Sequence, residues 1–205
     1  MNSNTVNLSW RAIFLSILIV ILNSDFSQVF SSAYGYKIGV GPVQLVSPVE
    51  IRILSYHGAD YFAGASWVNG KWYAVTHLTH NLIICDTITG QNTVLGNIGV
   101  VLGEPVALCW DPTTDIMFML TASPNNLYTV NINTGTASFV ASVNLFPQFS
   151  LLSGAISNGG SFYAILHTSD STNPYLIKIN KTTGEGQVRG VMFGGASQGP
   201  QGISF

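Results

Sequence analysis

Asn126-Leu-Tyr-Thr-Val-Asn-Ile-Asn-Thr-Gly135 returns upstream as Asn81-Leu-Ile-Ile-Cys-Asp-Thr-Ile-Thr-Gly90 and downstream as Pro174-Tyr-Leu-Ile-Lys-Ile-Asn-Lys-Thr-Thr-Gly184. Each copy is a short apolar strand running into Asp/Asn-x-x-Thr-Gly. An Asp or Asn side-chain oxygen can accept the backbone N–H two residues on, and glycine takes the positive φ that ends a tight hairpin. Asp86, Asn131 and Asn180 are therefore predicted turn-makers. In the first copy Leu82 and Ile84 face one way while Ile83 and Cys85 face the other, so both faces are apolar. Such a strand must be covered on two sides, which a sheet stacked between neighbouring sheets achieves.

The repeat extends outward from these turns. Upstream stand Trp67-Val-Asn-Gly-Lys-Trp-Tyr-Ala-Val75, Trp110-Asp-Pro-Thr-Thr-Asp-Ile-Met-Phe-Met-Leu120 and Ser157-Asn-Gly-Gly-Ser-Phe-Tyr-Ala-Ile-Leu166, each reading as strand, turn, strand. Tyr73, Phe118 and Tyr163 recur at intervals of 45 residues. Downstream of each Gly lies another β-rich run: Thr93-Val-Leu95, Ala137-Ser-Phe-Val-Ala141 and Gly186-Gln-Val-Arg-Gly-Val191. Four strands per period of about 45 residues is the signature of propeller blades. The predicted fold is all-β, of β-propeller type, with four-stranded blades at roughly 61–100, 104–145 and 151–194 and a fourth starting at 199. Residues 35–60 hold further strands, Val43-Gln-Leu-Val46 and Val49-Glu-Ile-Arg-Ile-Leu54, suited to the outer part of a closing blade. Gln201-Gly-Ile-Ser-Phe205 aligns with the opening strand Val106-Ala-Leu-Cys-Trp110. Propellers typically carry four to eight blades. Three blades plus partial strands thus predict an incomplete ring with an open sheet edge, in a fragment of a larger protein.

The Trp-x-Asn-Gly-x-Trp-Tyr opening, Trp-Asp-Pro-Thr-Thr at 110–114, the run at 127–135 and Ile-Asn-Lys-Thr-Thr-Gly at 179–184 resemble the propeller-like repeats of secreted bacterial surface proteins, of quinoprotein-like or WD-repeat-like type. The resemblance covers roughly residues 35–205. It implies architecture, and further domains of the same polypeptide such as fibronectin-type, peptidase or sorting domains. It carries over no catalytic residue, because the matching positions make turns and core.

The N-terminus points to export. Arg11 precedes an apolar run from Ala12 to Leu22, and small Ser31 and Ala33 suit a cleavage site before Tyr34. This run of 11 residues falls short of the ~20 that span a bilayer as a helix. The reading is a signal peptide over 1–33, a mature domain over 34–205 that is secreted or at the cell surface, and no stable membrane span. Charged residues make up 8% of the chain, against about a quarter in ordinary domains, and the formal charge is −2. With no basic field to attract phosphates, nucleic acid is not an expected partner.

Chemistry is sparse. The sequence holds no nucleophile elbow, phosphate-binding loop or His-Glu-x-x-His motif. His77 and His167 end equivalent strands, and with His80 and Asp170 they are predicted in loops joining second and third strands. Imidazoles beside a carboxylate can bind a ligand or transition metal. These four are the candidate ligand residues, with no catalytic residue, metal or cofactor expected. Trp67, Trp72, Trp110, Tyr61 and Tyr73 are a conceivable sugar platform, but their recurrence at blade positions favours core. Cys85 and Cys109 are a candidate disulfide or two buried thiols. The functional expectation is a non-enzymatic module binding protein or glycan. The alternatives are an extracellular hydrolase or lyase built on one rim, and a ligand-free spacer.

Overall fold

The structure is a computed structural model that describes residues 33–192 apart from 38, 48–49, 100, 146–147 and 170–172. The described residues form four antiparallel sheets in chain order, the blades of a β-propeller. Blade I contains β1 (Ala33–Lys37), β2 (Gly41–Ser47) and β3 (Glu50–Ile53). Blade II contains β4 (Phe62–Val68), β5 (Lys71–Thr76), β6 (Asn81–Cys85) and β7 (Asn92–Asn97). Blade III contains β8 (Glu104–Asp111), β9 (Ile116–Ala122), β10 (Asn126–Val130) and β11 (Ala137–Ser142). Blade IV contains β12 (Phe149–Ile156), β13 (Phe162–Thr168), β14 (Tyr175–Ile179) and β15 (Gly186–Val191). The expected three four-stranded blades are present as II, III and IV, and the further strands expected in residues 35–60 form the three-stranded sheet of blade I. The expected signal peptide over 1–33, apart from Ala33, and the expected strand at 201–205 lie outside the described residues.

The third–fourth strand hairpins repeat down to individual hydrogen bonds. The Asp86 carboxylate accepts from the N–H groups of Ile88 (2.9 Å) and Thr89 (2.7 Å). The Asn131 side-chain oxygen accepts from Asn133 (2.9 Å) and Thr134 (3.2 Å), and that of Asn180 from Thr182 (2.9 Å) and Thr183 (3.2 Å). Gly90, Gly135 and Gly184 follow at φ of 73°, 81° and 70°, the left-handed region that side chains disfavour. Bulges recur as well, after Leu82, Leu127 and Leu176 on the third strands. A bulge strengthens local twist, which stacked blades need.

The core lies between sheets. Leu82 points into a cluster with Leu108, Met119 and Tyr128 of blade III, while Ile83 and Cys85 point the other way, with Phe62 and Trp72, against Tyr34 and Tyr36 of blade I. Blade III alternates likewise, sending Phe118 and Leu120 to meet Phe162 and Leu166 of blade IV. The two-faced apolar strands are therefore sandwiched, as their sequence requires.

The first strands β4, β8 and β12 stand side by side along the axis. The Ser66 hydroxyl accepts the Trp110 N–H at 3.0 Å, tying β8 to β4. A Cβ on Gly64 would lie 2.5 Å from the Leu108 nitrogen and 2.6 Å from the Ala107 carbonyl carbon. Gly64→Ala must therefore push two strands apart and is expected to cost about 2 kcal/mol or more. Gly190→Ala, where a Cβ meets nothing within 4 Å, should stay within about 0.5 kcal/mol. Urea unfolding of both variants checks the contrast.

Candidate functional site

Two places on the propeller gather functional side chains, at opposite ends of β4. At the Phe62 end, the β5–β6 loop brings His77 and His80 to one carboxylate. His77 Nδ1 is 3.7 Å and His80 Nε2 3.8 Å from Glu104 Oε2, at the start of β8. The Tyr61 ring stacks on His77 with centroids 4.5 Å apart. Asp60 holds the loop: its carboxylate accepts from the Leu78 N–H at 2.7 Å and the Thr79 hydroxyl at 2.5 Å. Burial by itself would raise the Asp60 carboxyl, but these donors outweigh it and the pKa is lowered.

This cluster differs from the set expected from sequence. His77 and His80 do come together. His167 is inside β13 rather than in a loop, paired with Ser150 two blades farther round. The strand register of blade IV runs one residue beyond it, which moves it out of the loop. Asp170 lies outside the described residues. Glu104, which joins the two histidines, has no sequence signal, because the contact is made between blades. Among the described residues no group of three His, Cys, Asp or Glu side chains is placed to hold a metal ion. With Glu104 61% exposed, the His–Glu pairs are screened surface interactions that order the rim.

At the other end, the final residues of the inner strands enclose a cavity of 340 Å³ on the axis. Trp67 and Trp110 form its aromatic walls, with Ser66, Gly154, Pro112 and Asn158 around them, and its lining carries no charged side chain. Trp67 is 49% exposed, whereas Trp72 and Tyr73 are buried. Recurrence at blade positions thus misleads for Trp67. It is the penultimate residue of the inner strand β4 and lines the axial cavity, whereas Trp72 is the second residue of β5 and packs between blades I and II. Tyr34 stacks behind Trp67 with centroids 6.0 Å apart and rings 10° from parallel, fixing the indole with one face turned to the cavity.

Beside the cavity the β8–β9 turn is built on Asp111, whose side chain is fully buried. It accepts from the Thr113 N–H (3.0 Å), the Thr113 hydroxyl (2.7 Å), the Thr114 hydroxyl (2.8 Å) and the Lys181 ammonium of blade IV. Burial would raise this carboxyl, but Lys181 and the threonine donors overcome it and set the pKa at about 2. Cys85 and Cys109 are free and buried in separate clusters, one between blades I and II and the other between III and IV, so the candidate disulfide is replaced by two thiols. Burial raises Cys85 to about 11 and Cys109 further still.

No protein-family profile matches the chain, and no curated protein matches it in sequence. Solved structures do share its shape. A nidogen/laminin complex superposes with a TM-score of 0.60 at 13% identity over 82% of this chain and 64% of that one. A protein of unknown function from Bacteroides thetaiotaomicron gives 0.59 at 15% identity, over 77% of this chain and 40% of that one. An auxiliary nutrient binding protein from Bacteroides ovatus gives 0.54 at 13% identity, over 84% and 41%. The chain thus spans from two fifths to under two thirds of their lengths. At such identities the likeness shows the fold alone: the chain is a β-propeller.

Two outcomes follow from the buried groups. The lowered Asp111 pKa means its stabilisation is present above the unfolded value of roughly 3.9 and is lost as pH falls towards 2, about 2 kcal/mol in all. Asp111→Asn should flatten this acid limb in urea unfolding between pH 5 and 2. Both cysteines should resist a thiol reagent at pH 7 until the chain is unfolded, as followed by absorbance.

Proposed function

We propose that the chain is a secreted or cell-surface propeller module that binds a neutral glycan in the axial cavity, with Trp67 as the stacking surface. The half-exposed Trp67 ring, braced from behind by Tyr34 at the mouth of an uncharged cavity, carries this reading. An indole face complements the C–H face of a sugar ring, and the Ser66 and Asn158 side chains supply hydroxyl and amide groups for its hydroxyls. A lining without charge suits an uncharged polyol better than a phosphate, carboxylate or amine. The nutrient-binding and laminin-complex neighbours support a binding role for this fold without assigning one here.

Export is supported by the apolar run after Arg11 and by the small residues Ser31 and Ala33 before Tyr34. Cleavage before Tyr34 leaves Tyr34 and Tyr36 in place against Trp72 and Phe62. N-terminal sequencing of exported protein should therefore read Tyr34 or a close neighbour, and an uncleaved start would remove this part of the reading.

Titration calorimetry against a panel of neutral oligosaccharides is expected to find at least one binder. Trp67→Ala should weaken it about tenfold or more while Tm stays within about 3 °C. A panel with no binder, or binding indifferent to Trp67, would overturn the glycan assignment, and a protein ligand captured at the same face would replace it.

A further inference from the structure

Trp67 borders two cavities, and the proposed glycan site uses one of them. The axial cavity of 340 Å³ lies on the β8 side of β4, with Trp67 and Trp110 as its aromatic walls. A second cavity of 320 Å³ lies on the β1 side and is lined by Tyr34, Ala65, Ser66, Trp67 and Trp72. Ala65, Ser66 and Trp67 belong to both linings, so the two spaces adjoin across the end of β4. Neither lining holds a charged side chain, and Ala65 and Trp67 at the divide are exposed. Each volume falls at the lower end of the roughly 300–1,000 Å³ typical of ligand pockets, which suits one sugar ring apiece.

Three successive blades contribute an aromatic ring to these walls: Tyr34 from blade I, Trp67 from blade II and Trp110 from blade III. Trp67 and Trp110 hold equivalent places, because they pair with Trp72 and Met117, successive members of the repeat. In blade IV the equivalent residue, opposite Phe162, is the buried Ile156, so the aromatic row ends there. The Ser66 hydroxyl, which lines both cavities, accepts the Trp110 N–H at 3.0 Å, and its own proton can donate to a ligand. A single sugar covers one ring of such a row. A chain of sugars covers the row unit by unit, and each added unit gains contact without a second loss of translational freedom.

We propose that the ligand is a neutral oligosaccharide of at least two units, with one sugar between Trp67 and Trp110 and the next beside Tyr34, on the other side of Trp67. Trp67 and Ser66 then stand at the linkage between them. This rests on the glycan reading of the axial cavity and adds chain length as the property for which the site selects. A monosaccharide occupies one cavity, a chain of two or three units fills both, and further units lie in solvent.

The test is titration calorimetry of the full chain against three homologous series: glucose to maltotetraose, glucose to cellotetraose, and N-acetylglucosamine to its β-1,4-linked tetramer. In a series that binds, affinity is expected to rise about tenfold or more from one unit to three, and less than about threefold from three to four. Tyr34→Ala, which removes a wall of the second cavity, should cut the gain between one and three units to about threefold or less. Thermal melting checks that this variant is folded, and the length series on the unaltered protein tests the proposal whatever the variant does. Equal affinity for one and three units, with binding still lost in Trp67→Ala, would overturn the proposal and leave the glycan reading standing. A gain undiminished in folded Tyr34→Ala would overturn it too, because the added units would then lie elsewhere. If no member of any series bound, both readings would fall together.

Discussion

Where β4 and β8 pass each other, the Ser66 hydroxyl meets the Trp110 N–H and Gly64 leaves room for the Ala107 backbone. This contact between inner strands sets how near the axis each sheet can come. A side chain at Gly64 would force the two sheets apart and loosen the apolar layer behind them, where Tyr73, Leu82, Met119 and Tyr128 are buried together. Interiors packed to crystal-like density do not absorb such a shift without loss. The small residues on the inner strands and the large ones behind them therefore form one arrangement.

With 8% of its residues charged, the chain ties its blades together by other means. Threonine hydroxyls and Asx side chains satisfy the hairpin backbones locally, so each turn is closed without drawing on the core. The one buried carboxylate described, Asp111, is fully surrounded by donors, including Lys181 from the next blade. A buried charge is tolerated only when paired and hydrogen-bonded in this way. It also anchors the wall of the axial cavity, so the shape of that cavity depends on contacts between blades III and IV.

The two ends of the propeller differ in chemistry for a topological reason. One end carries the loop between second and third strands, where His77, His80 and Asp60 are held by side-chain and backbone hydrogen bonds. The other carries tight hairpins and the large final residues of the inner strands. Because those residues point to the axis, they leave an aromatic, uncharged cavity there rather than a solid plug. That difference is why the proposed glycan site is placed at the axial end.

The sequence by itself determined the repeat, the turn chemistry at Asp86, Asn131 and Asn180, and the two-sided burial of strands such as Leu82–Cys85. Each is a local matter of side-chain alternation or of an oxygen two residues from an N–H. The extra sheet in residues 33–53 was only half legible, because its turns lack the Asp/Asn-x-x-Thr-Gly pattern. Tertiary structure alone decided that Glu104 meets His77 and His80, that His167 stays within β13, and that Trp67 is exposed while Trp72 is buried. Those outcomes depend on which sheet faces which and on how close the inner strands come to the axis. Neither quantity is written in the alternation of any single strand.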